Sequence, residues 1–410
     1  MSAPSTPLRA CMLAYTFYEG DGRVIRYAQA LRARGAQVDA IVLGRPGQPA
    51  CQVIDGVRVL RVQRREKNEK GKAAYATRLL RFLATSAWAV GREHLRAPYQ
   101  LVHVHSVPDF EVFAALVPRL AGARVVLDIH DLVPEFYAAK FGVGPDSLAA
   151  RALRAMERWS GRFAHHVIIA NDLWRDRITA RSVPAHKVSS FINYPDLGVF
   201  HPALRARTPG DGRFVMAYPG SLNHHQGLDI ALRAFHQALR QVPHLEFHIH
   251  GEGPARPALA ALVDELGLQG RAVLHDPVQQ RAVAQLMADA DLGVVPKRND
   301  AFGGDAFSTK ILEFMAVGVP VVCARTRIDD HYFNDELVRF FPPEDVDALA
   351  QAMVQAAQDP QAGAARAARA LRHAQAQGWD THQHRYLALV DSLVARTAPP
   401  LAGRPDASHG

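Results

Sequence analysis

The sequence predicts an α/β protein with two domains, each built around a parallel β-sheet. The chain opens with a strand at residues 9–15, a helix, and a second strand at 38–43, and this strand–helix–strand order requires parallel strands. A stretch rich in Pro and Gly at 197–213 then interrupts the pattern, which is typical of a linker. Strands followed by helices resume at Phe214, so we expect a second domain of the same class.

The first domain is predicted to span residues 1–196. Its opening helix carries apolar side chains at 24, 27, 28 and 31 and ends at Gly35. The turn before that helix contains Gly20 and Gly22, but Ile25 stands where a nicotinamide-type fingerprint needs a third glycine. The other predicted elements are strands at 101–106, 124–129, 167–170 and 188–192 and helices at 109–120 and 148–163.

The second domain is predicted to span residues 214–378. An alanine-rich helical region closes it, a terminal helix follows at 379–398, and the tail at 399–410 is predicted to be disordered. The other predicted elements are strands at 214–218, 245–250 and 292–296 and helices at 228–239 and 346–357.

Composition and charge restrict the class of protein. The 410 residues include only Cys11, Cys51 and Cys323, whose wide spacing fits neither a disulfide framework nor a metal site. No apolar run approaches membrane-spanning length, so we expect a cytoplasmic protein, soluble or attached to the inner face of the membrane. The net charge of +8 invites a nucleic-acid interpretation, but no recognition-helix, zinc-finger or aromatic-basic RNA motif accompanies it. We therefore predict no metal and no nucleic-acid partner.

The densest basic segment runs from Arg61 to Arg81 and leads into an apolar stretch that contains Trp88. Such a segment can lie on an anionic membrane surface. It can equally be a solvated loop before a packed helix, and the two interpretations stay open.

The stretch from Asp305 to Cys323 is the most informative part of the chain. A polar loop leads into a short helix with Ser308 or Thr309 as N-cap, and a strand follows Gly318. The unpaired N–H groups at such a helix start favour a phosphate beside Lys310. Glu313 on the first turns can accept hydrogen bonds from two ribose hydroxyls, and Asp305 offers a second carboxylate. The alternative is an ordinary cap with a solvated glutamate.

Two further regions carry polar or glycine-rich turns after predicted strands. His130, Asp131 and Glu135 follow the strand at 124–129, and ligands of open α/β sheets bind at the carboxyl ends of strands. In the second domain, the turns at 220–227 and 251–254 carry glycines that permit close backbone approach to a phosphate or a nucleotide.

The chain has an acidic residue, Asp305, then seven others and then Glu313, in the context Leu-Glu-Phe-Met-Ala-Val-Gly-Val-Pro-Val-Val. This pattern resembles the signature of the family 4 retaining glycosyltransferases. The His-Asp-x-x-Pro-Glu run at 130–135 resembles the same family, and the likeness extends over about residues 9–395. It implies the GT-B fold, with two Rossmann-like domains facing across a cleft and a C-terminal helix crossing back to the first. The family usually has Glu where this chain has Asp305.

The resemblance also implies roles for the residues named above. The leaving diphosphate is assigned to Lys310, Ser308 and Thr309, the ribose to Glu313, and the sugar ring to His130 and Asp305. Many relatives clamp the diphosphate with Arg and Lys where this chain has Ser221 and Gln226, so Lys310, or Lys297 and Arg298, must supply the charge. The other implied contacts are Gly220, Gln226, Gly251 and Gly253 on the donor side and Glu19, Asp21, Arg23 and Asp131 on the acceptor side.

The implied reaction transfers a sugar, with retention, from a nucleoside diphosphate sugar to a glycan, lipid-linked or small-molecule acceptor, as in polysaccharide or glycoconjugate synthesis. The diphosphate sugar is a substrate, so no cofactor is expected. A nucleotide-sugar epimerase of the same architecture would release an altered sugar without an acceptor. A non-catalytic subunit, which the neutral Ser221 and Gln226 suggest, would bind the donor without turnover.

Overall fold

The chain divides into two compact units, which a computed structural model describes at residues 7–65, 72–141, 144, 147–208 and 210–395. Unit 1 contains the residues up to 191 and those from 382 onward, and unit 2 contains residues 192–381. Each unit holds a mainly parallel β-sheet with helices, so the predicted fold class is confirmed. The tail predicted at 399–410 and the part of the basic segment at 66–71 lie outside the described residues.

Unit 1 is built on an eight-stranded sheet in the order β3-β4-β2-β1-β5-β6-β7-β8. Its pairs are parallel except the β3–β4 hairpin at the edge. The strands are β1 (Arg9–Phe17), β2 (Gln37–Gly44), β3 (Cys51–Ile54), β4 (Val57–Arg64), β5 (Leu101–Ser106), β6 (Arg124–Ile129), β7 (His166–Ile169) and β8 (Val188–Ser190). The helices are α1 (Gly22–Ala33), α2 (Lys72–Arg96), α3 (Leu116–Leu120), α4 (Val133–Phe141), α5 (Leu148–Phe163) and α6 (Asp172–Arg181).

The helix predicted at 109–120 takes a different form. Asp109–Ala115 is a 3-10 helix, and only Leu116–Leu120 is α-helical. Pro118 lies inside the stretch and has no N–H, so it cannot continue an α-helical hydrogen-bond ladder back to Ala114.

Unit 2 is built on a fully parallel sheet in the order β11-β10-β9-β12-β13-β14. The strands are β9 (Phe214–Pro219), β10 (Leu245–His250), β11 (Ala272–His275), β12 (Leu292–Val295), β13 (Val321–Ala324) and β14 (Arg339–Phe341). The helices that begin in it are α7 (Leu228–Leu239), α8 (Arg256–Glu265), α9 (Gln280–Asp289), α10 (Thr309–Ala316), α11 (Arg327–Tyr332), α12 (Val346–Gln358), α13 (Pro360–Ala376) and α14 (Trp379–Ala395).

The strand order of unit 2 reverses between β9 and β12. The chain builds outward from β9 through β10 and β11, and then returns to place β12 on the other side of β9. In open α/β sheets, a crevice for ligands forms at such a switch point, outside the carboxyl ends of the strands. The loops after β9 and β12 meet there, since the Arg298 N–H donates to the His225 carbonyl at 2.9 Å.

Helix α14 carries the chain from unit 2 back to unit 1. Its Tyr386 is fully buried, with the hydroxyl 3.0 Å from His103 Nδ1, and the Arg124 side chain donates to the Leu393 carbonyl at 3.0 Å. These contacts confirm that the C-terminal helix packs on the first domain. Among the described residues, no helix combines the length and the apolar character needed to cross a membrane.

The basic segment at 61–81 is not one continuous surface. Arg61 lies in β4 with its side chain only 2% exposed, and it pairs with Glu19. The segment ends inside α2, where Arg81 is exposed. Arg61 therefore stabilises the sheet edge and does not face an external partner, because alternation along β4 turns it inward.

Candidate functional site

Lys310 and the glycine turn after β9 come together at the switch point of unit 2. A Cβ atom added to Gly220 would lie 3.1 Å from Lys310 Nζ, so the ammonium group lies directly beside this turn. The same ammonium lies 5.0 Å from the centre of the Tyr218 ring. Burial lowers the pKa of Lys310 to about 8, against the opposing effect of the Glu313 carboxylate. The charge is thus held in a desolvated position that an anion would stabilise.

Helix α10 begins at Thr309, one residue before this lysine. Ser308 is the N-cap residue, yet its side chain accepts no capping bond, and among the described residues its buried Oγ has no partner. Ile311, Leu312 and Met315 are buried as predicted, and Gly318 follows the helix with φ +75°. The apolar face fixes the helix, so its N-terminus and dipole point into the crevice.

Gln226 is tied to the same turn. The Tyr218 hydroxyl, fully buried, donates to the Ser221 carbonyl at 2.9 Å and lies 3.0 Å from Gln226 Oε1. The amide nitrogen of Gln226 lies 3.0 Å from His225 Nε2. Tyr218 was not among the predicted site residues, because a tyrosine inside an apolar strand gives no sign that its hydroxyl organises the following loop.

Gly251 and Gly253 allow two main-chain segments to pack directly against each other. A Cβ atom at Gly251 would lie 1.8 Å from the Gly220 carbonyl oxygen, and one at Gly253 would lie 2.4 Å from the Leu222 carbonyl oxygen. Gly251 also has φ +155°. These two glycines therefore bring the turn after β10 against the turn after β9.

Replacing Gly251 with alanine is expected to destabilise the protein by about 1–3 kcal/mol or more, because the added methyl group overlaps a main-chain oxygen. Gly363→Ala in α13 is the matched control, since its Cβ would meet only Pro320 at 3.8 Å, an ordinary contact. Urea unfolding measures both. Equal free energies of unfolding for the two variants would show that the two turns do not pack as described.

The other predicted cations already have carboxylate partners. Lys297 is 2% exposed, lies 2.9 Å from Asp329 and donates to the Ala306 carbonyl at 2.7 Å. Arg298 makes a two-pronged contact with Asp229 at 3.0 and 2.7 Å. Both charges are locally balanced, which leaves Lys310 as the predicted cation nearest the Gly220 turn.

Asp305 is nearly fully buried and paired with Arg327. The guanidinium Nε donates to Asp305 Oδ1 at 2.7 Å, and Arg327 also reaches the Asp300 carbonyl at 3.0 Å. The pair joins the loop after β12 to α11. Arg327 was not predicted, because it lies 22 residues further along the chain in a separate helix.

In unit 1, a buried carboxylate lies behind His130. Asp128 is fully buried at the end of β6 and accepts two hydrogen bonds from Arg23 at 2.7 Å each. Its Oδ2 lies 3.2 Å from His105 Nδ1 and 3.3 Å from His130 Nε2. Burial alone would raise the pKa of Asp128, but the charges of Arg23 and His130 outweigh it and hold the pKa well below its ordinary value.

The side chain of His130 is 24% exposed and can reach solvent from this position. Burial raises the pKa of the neighbouring Asp131, with His130 opposing the shift. Glu135, which we expected to project beside them, is bound by Arg181 instead. The strand end thus presents His130 and Asp131, and Glu135 is tied to α6.

The three remaining residues predicted on the acceptor side have structural partners. Arg23 is buried against Asp128, and Asp21 is the N-cap of α1, accepting from the Val24 N–H at 3.2 Å. Glu19 pairs with Arg61 and accepts from Gln48 at 3.1 Å. A contact with an acceptor stays a prediction for each of them.

Two family models match the chain, one on each unit. Residues 23–193 match the glycosyl transferase 4-like domain, and residues 213–359 match the glycosyl transferases group 1 domain. Together they cover most of both predicted domains and include the motifs at 130–135 and 305–323. The chain is a family 4 glycosyltransferase. The predicted enzyme class and family are thereby confirmed.

This glycosyltransferase is similar over most of its length to a curated relative. It is 26% identical over 394 residues to the D-inositol 3-phosphate glycosyltransferase of Thermomonospora curvata, covering 89% of this chain and 88% of the relative.

Solved structures share its fold. Sucrose-phosphate synthase of Thermosynechococcus elongatus aligns with a TM-score of 0.78 at 20% identity, covering 95% of this chain and 100% of that one. HepE of Anabaena in complex with UDP-glucose aligns with a TM-score of 0.69 at 17% identity, covering 94% and 100%. The likeness confirms GT-B as the fold class.

Proposed function

We propose that this glycosyltransferase transfers a sugar, with retention of the anomeric configuration, from a nucleoside diphosphate sugar bound at the β9/β12 switch point. The observation that carries the proposal is the ammonium of Lys310, which lies beside Gly220 at the N-terminus of α10. A desolvated cation, a helix N-terminus and the Ser308 hydroxyl, which has no partner among the described residues, together form a site for a diphosphate.

The chemistry requires stabilisation of the departing diphosphate. Negative charge grows on the phosphate oxygen as the glycosidic bond breaks, and groups fixed in advance at that place lower the barrier. We assign this stabilisation of the phosphate oxygen to Lys310, Ser308 and Thr309. Since Ser221 and Gln226 are neutral and Lys297 is balanced by Asp329, Lys310 is the main cation assigned to the diphosphate.

The nucleoside is assigned to Glu313 and the Gly251–Gly253 turn. Glu313 is half-buried on α10 three residues after Lys310, within reach of the ribose of a nucleotide whose phosphates lie at the helix start. The relative HepE binds UDP-glucose, which makes uridine diphosphate sugars the first donors to try, with GDP and ADP sugars beside them.

Asp305 and His130 are assigned to the sugar ring, with Asp131 on the acceptor side. Arg327 holds Asp305 in the loop after β12, which leads into α10. We assign the acceptor's proton to the leaving phosphate, so no separate protein base is assigned. The relative from Thermomonospora curvata is named for an inositol phosphate, which supports small hydroxyl-rich acceptors beside glycans.

The test of this function is a turnover assay with UDP, GDP and ADP sugars, first alone and then with a panel of polyol, glycan and lipid-linked acceptors. Acceptor-dependent release of the diphosphate, with retained configuration by NMR, is the expected result. Release of an altered sugar without acceptor would favour the epimerase. Donor binding without turnover across the panel would favour the non-catalytic subunit.

We also propose peripheral contact between unit 1 and anionic membranes, as for a polysaccharide-synthesis enzyme with lipid-linked acceptors. Large apolar side chains are exposed on α2 and α5, notably Trp88 (64%) and Trp159 (61%). Exposed arginines accompany them on α5, at 151, 158 and 162. This combination of apolar and cationic groups suits the interface of an anionic bilayer.

Vesicles containing phosphatidylglycerol are expected to bind the protein, and the double variant Trp88→Glu, Trp159→Glu should bind them more weakly in a flotation assay. Val278→Glu, at an exposed apolar position in unit 2, is the matched control. Equal binding of neutral and anionic vesicles, or no effect of the double variant, would refute this surface.

A further inference from the structure

Three histidines meet on one face of the β10–β11 pair in unit 2. His248 and His250 alternate along β10, and His275 ends β11 directly opposite His250 in the parallel register. The odd-numbered residues of β10, among them Phe247 and Ile249, face the hydrophobic core. The three imidazoles therefore share the opposite face of the sheet, away from that core.

The imidazole rings are close enough to hold one metal ion. Each ring offers one nitrogen, and the three nitrogens lie within 4.8 Å of one another. Nitrogen ligands on a tetrahedral zinc at about 2.0–2.1 Å are roughly 3.3 Å apart. His248 Nδ1 and His275 Nε2 are 2.9 Å apart, which is close to this spacing.

The Glu246 carboxylate lies beside the ring of His248. Glu246 Oε2 lies 3.2 Å from His248 Nε2, the nitrogen that faces away from His275. Metal-binding histidines usually donate their other N–H to a carboxylate, which fixes the tautomer and turns the lone pair toward the metal. Glu246 thereby directs the Nδ1 lone pair of His248 into the cluster.

His250 has a buried ring nitrogen that a ligand would satisfy. Its side chain is nine-tenths buried, and its Nδ1 has no hydrogen-bond partner among the described residues. A buried polar atom without a partner costs about 1–3 kcal/mol unless something satisfies it, and a cation would do so. The side chain of His248 is 28% exposed, so an ion can enter from solvent.

From this geometry we infer that His248, His250 and His275 form a binding site for Zn²⁺ or a similar borderline divalent cation, with Glu246 as the carboxylate that orients His248. Three imidazoles and an open fourth position match the ligands that zinc prefers. The site is independent of the proposed transfer reaction. The cluster adjoins the donor turn, since the Gly251 N–H donates to the His275 carbonyl at 3.2 Å.

Titration of the metal-free full chain with ZnCl₂ by calorimetry is the first measurement, with Co²⁺ added separately to read ligand geometry from its visible absorption. One equivalent of Zn²⁺ should bind and raise the melting temperature, and Co²⁺ should show the strong band of a tetrahedral site. MgCl₂, which prefers oxygen ligands, should do neither. His250→Gln should abolish the saturable site.

Further variants separate a lost ligand from a lost fold. His248→Gln changes a half-buried ring and should also remove binding, and Glu246→Gln should weaken it about 10–100-fold. His244→Gln, at an exposed position beside β10, is the matched control and should bind as the parent does. All variants keep the second histidine cluster, His103 and His105 with Asp128. Unchanged Zn²⁺ affinity in folded His250→Gln and His248→Gln, or no binding by the parent, overturns the proposal.

Discussion

Replacing Lys310 with methionine is expected to lower kcat/KM by about 10²–10³-fold, which corresponds to roughly 2.7–4 kcal/mol of lost transition-state stabilisation. Lys310 Nζ lies beside Gly220, whereas the charges of Lys297 and Arg298 are balanced by Asp329 and Asp229. No other predicted cation takes its place at the turn. Methionine keeps the length and the apolar stem, so the fold should persist.

The pH dependence of binding follows from the same lysine. Its pKa is lowered to about 8, so the ammonium is lost as pH rises through 8 in the free protein. The affinity for UDP or another nucleoside diphosphate should therefore fall as pH rises above 8, with proton uptake on binding. The effect of this lysine on the free energy of unfolding has the opposite pH dependence. The folded state binds this proton less tightly than the unfolded chain, so this lysine's contribution to stability increases between about pH 8 and 10.5.

Steady-state rates of the parent and Lys310→Met, with melting temperatures as a check of folding, test the role of Lys310. Lys187→Met is the control, because Lys187 is a partly buried lysine of unit 1 that donates to the Gly161 carbonyl at 2.9 Å. A Lys310→Met enzyme that melts like the parent and keeps its kcat/KM would rule out Lys310 as the cation of the leaving group.

Replacing Arg23 with leucine is expected to destabilise the protein by about 3–5 kcal/mol, because it leaves the fully buried Asp128 without its counter-charge. Arg23 gives both hydrogen bonds of the pair and a third to the Phe191 carbonyl at 2.8 Å. Since Asp128 also contacts His105 and His130, the loss should reach the histidine assigned to the sugar ring.

The matched control is Arg34→Leu, which removes an ion pair with Asp391 in which both side chains are about half exposed. That change should cost about 1 kcal/mol or less, since water and salt screen exposed pairs. Arg23→Leu combined with Asp128→Leu should cost less than the single change, because no unpaired charge remains. Urea unfolding gives all three values. Equal losses for Arg23→Leu and Arg34→Leu would contradict a buried ion pair.

Much of the fold was predictable because local patterns and tertiary packing agree. The helix at 148–163 and the strand at 124–129 occur at the predicted bounds, since each combines a clear periodicity with clear ends. The helix predicted at 109–120 differs more from its prediction. Most of that stretch is 3-10 helix, and only its last five residues are α-helical.

The site was predictable only where its residues are neighbours in the chain. Ser308, Lys310 and Glu313 follow from one motif, and the structure keeps them on or beside one helix. The partners that define the electrostatics are distant in sequence: Arg23 lies 105 residues from Asp128, and Arg327 lies 22 residues from Asp305.

The cluster at 248, 250 and 275 was missed for a related reason. His275 meets His250 only through the register of β10 and β11. No spacing within one segment reports that register, so the sequence did not bring these three histidines together.

The central claim is that α10 and the β9 turn bind the nucleoside diphosphate of the donor, and calorimetric titration of the parent and Glu313→Ala with UDP, GDP and ADP tests it most directly. The parent should bind one equivalent of the correct nucleotide, and Glu313→Ala should show no measurable binding, because the contact with the ribose is lost. Glu336→Ala, at an exposed acid of the same unit, should bind like the parent. Unchanged affinity in Glu313→Ala would contradict the assignment of the donor to this helix.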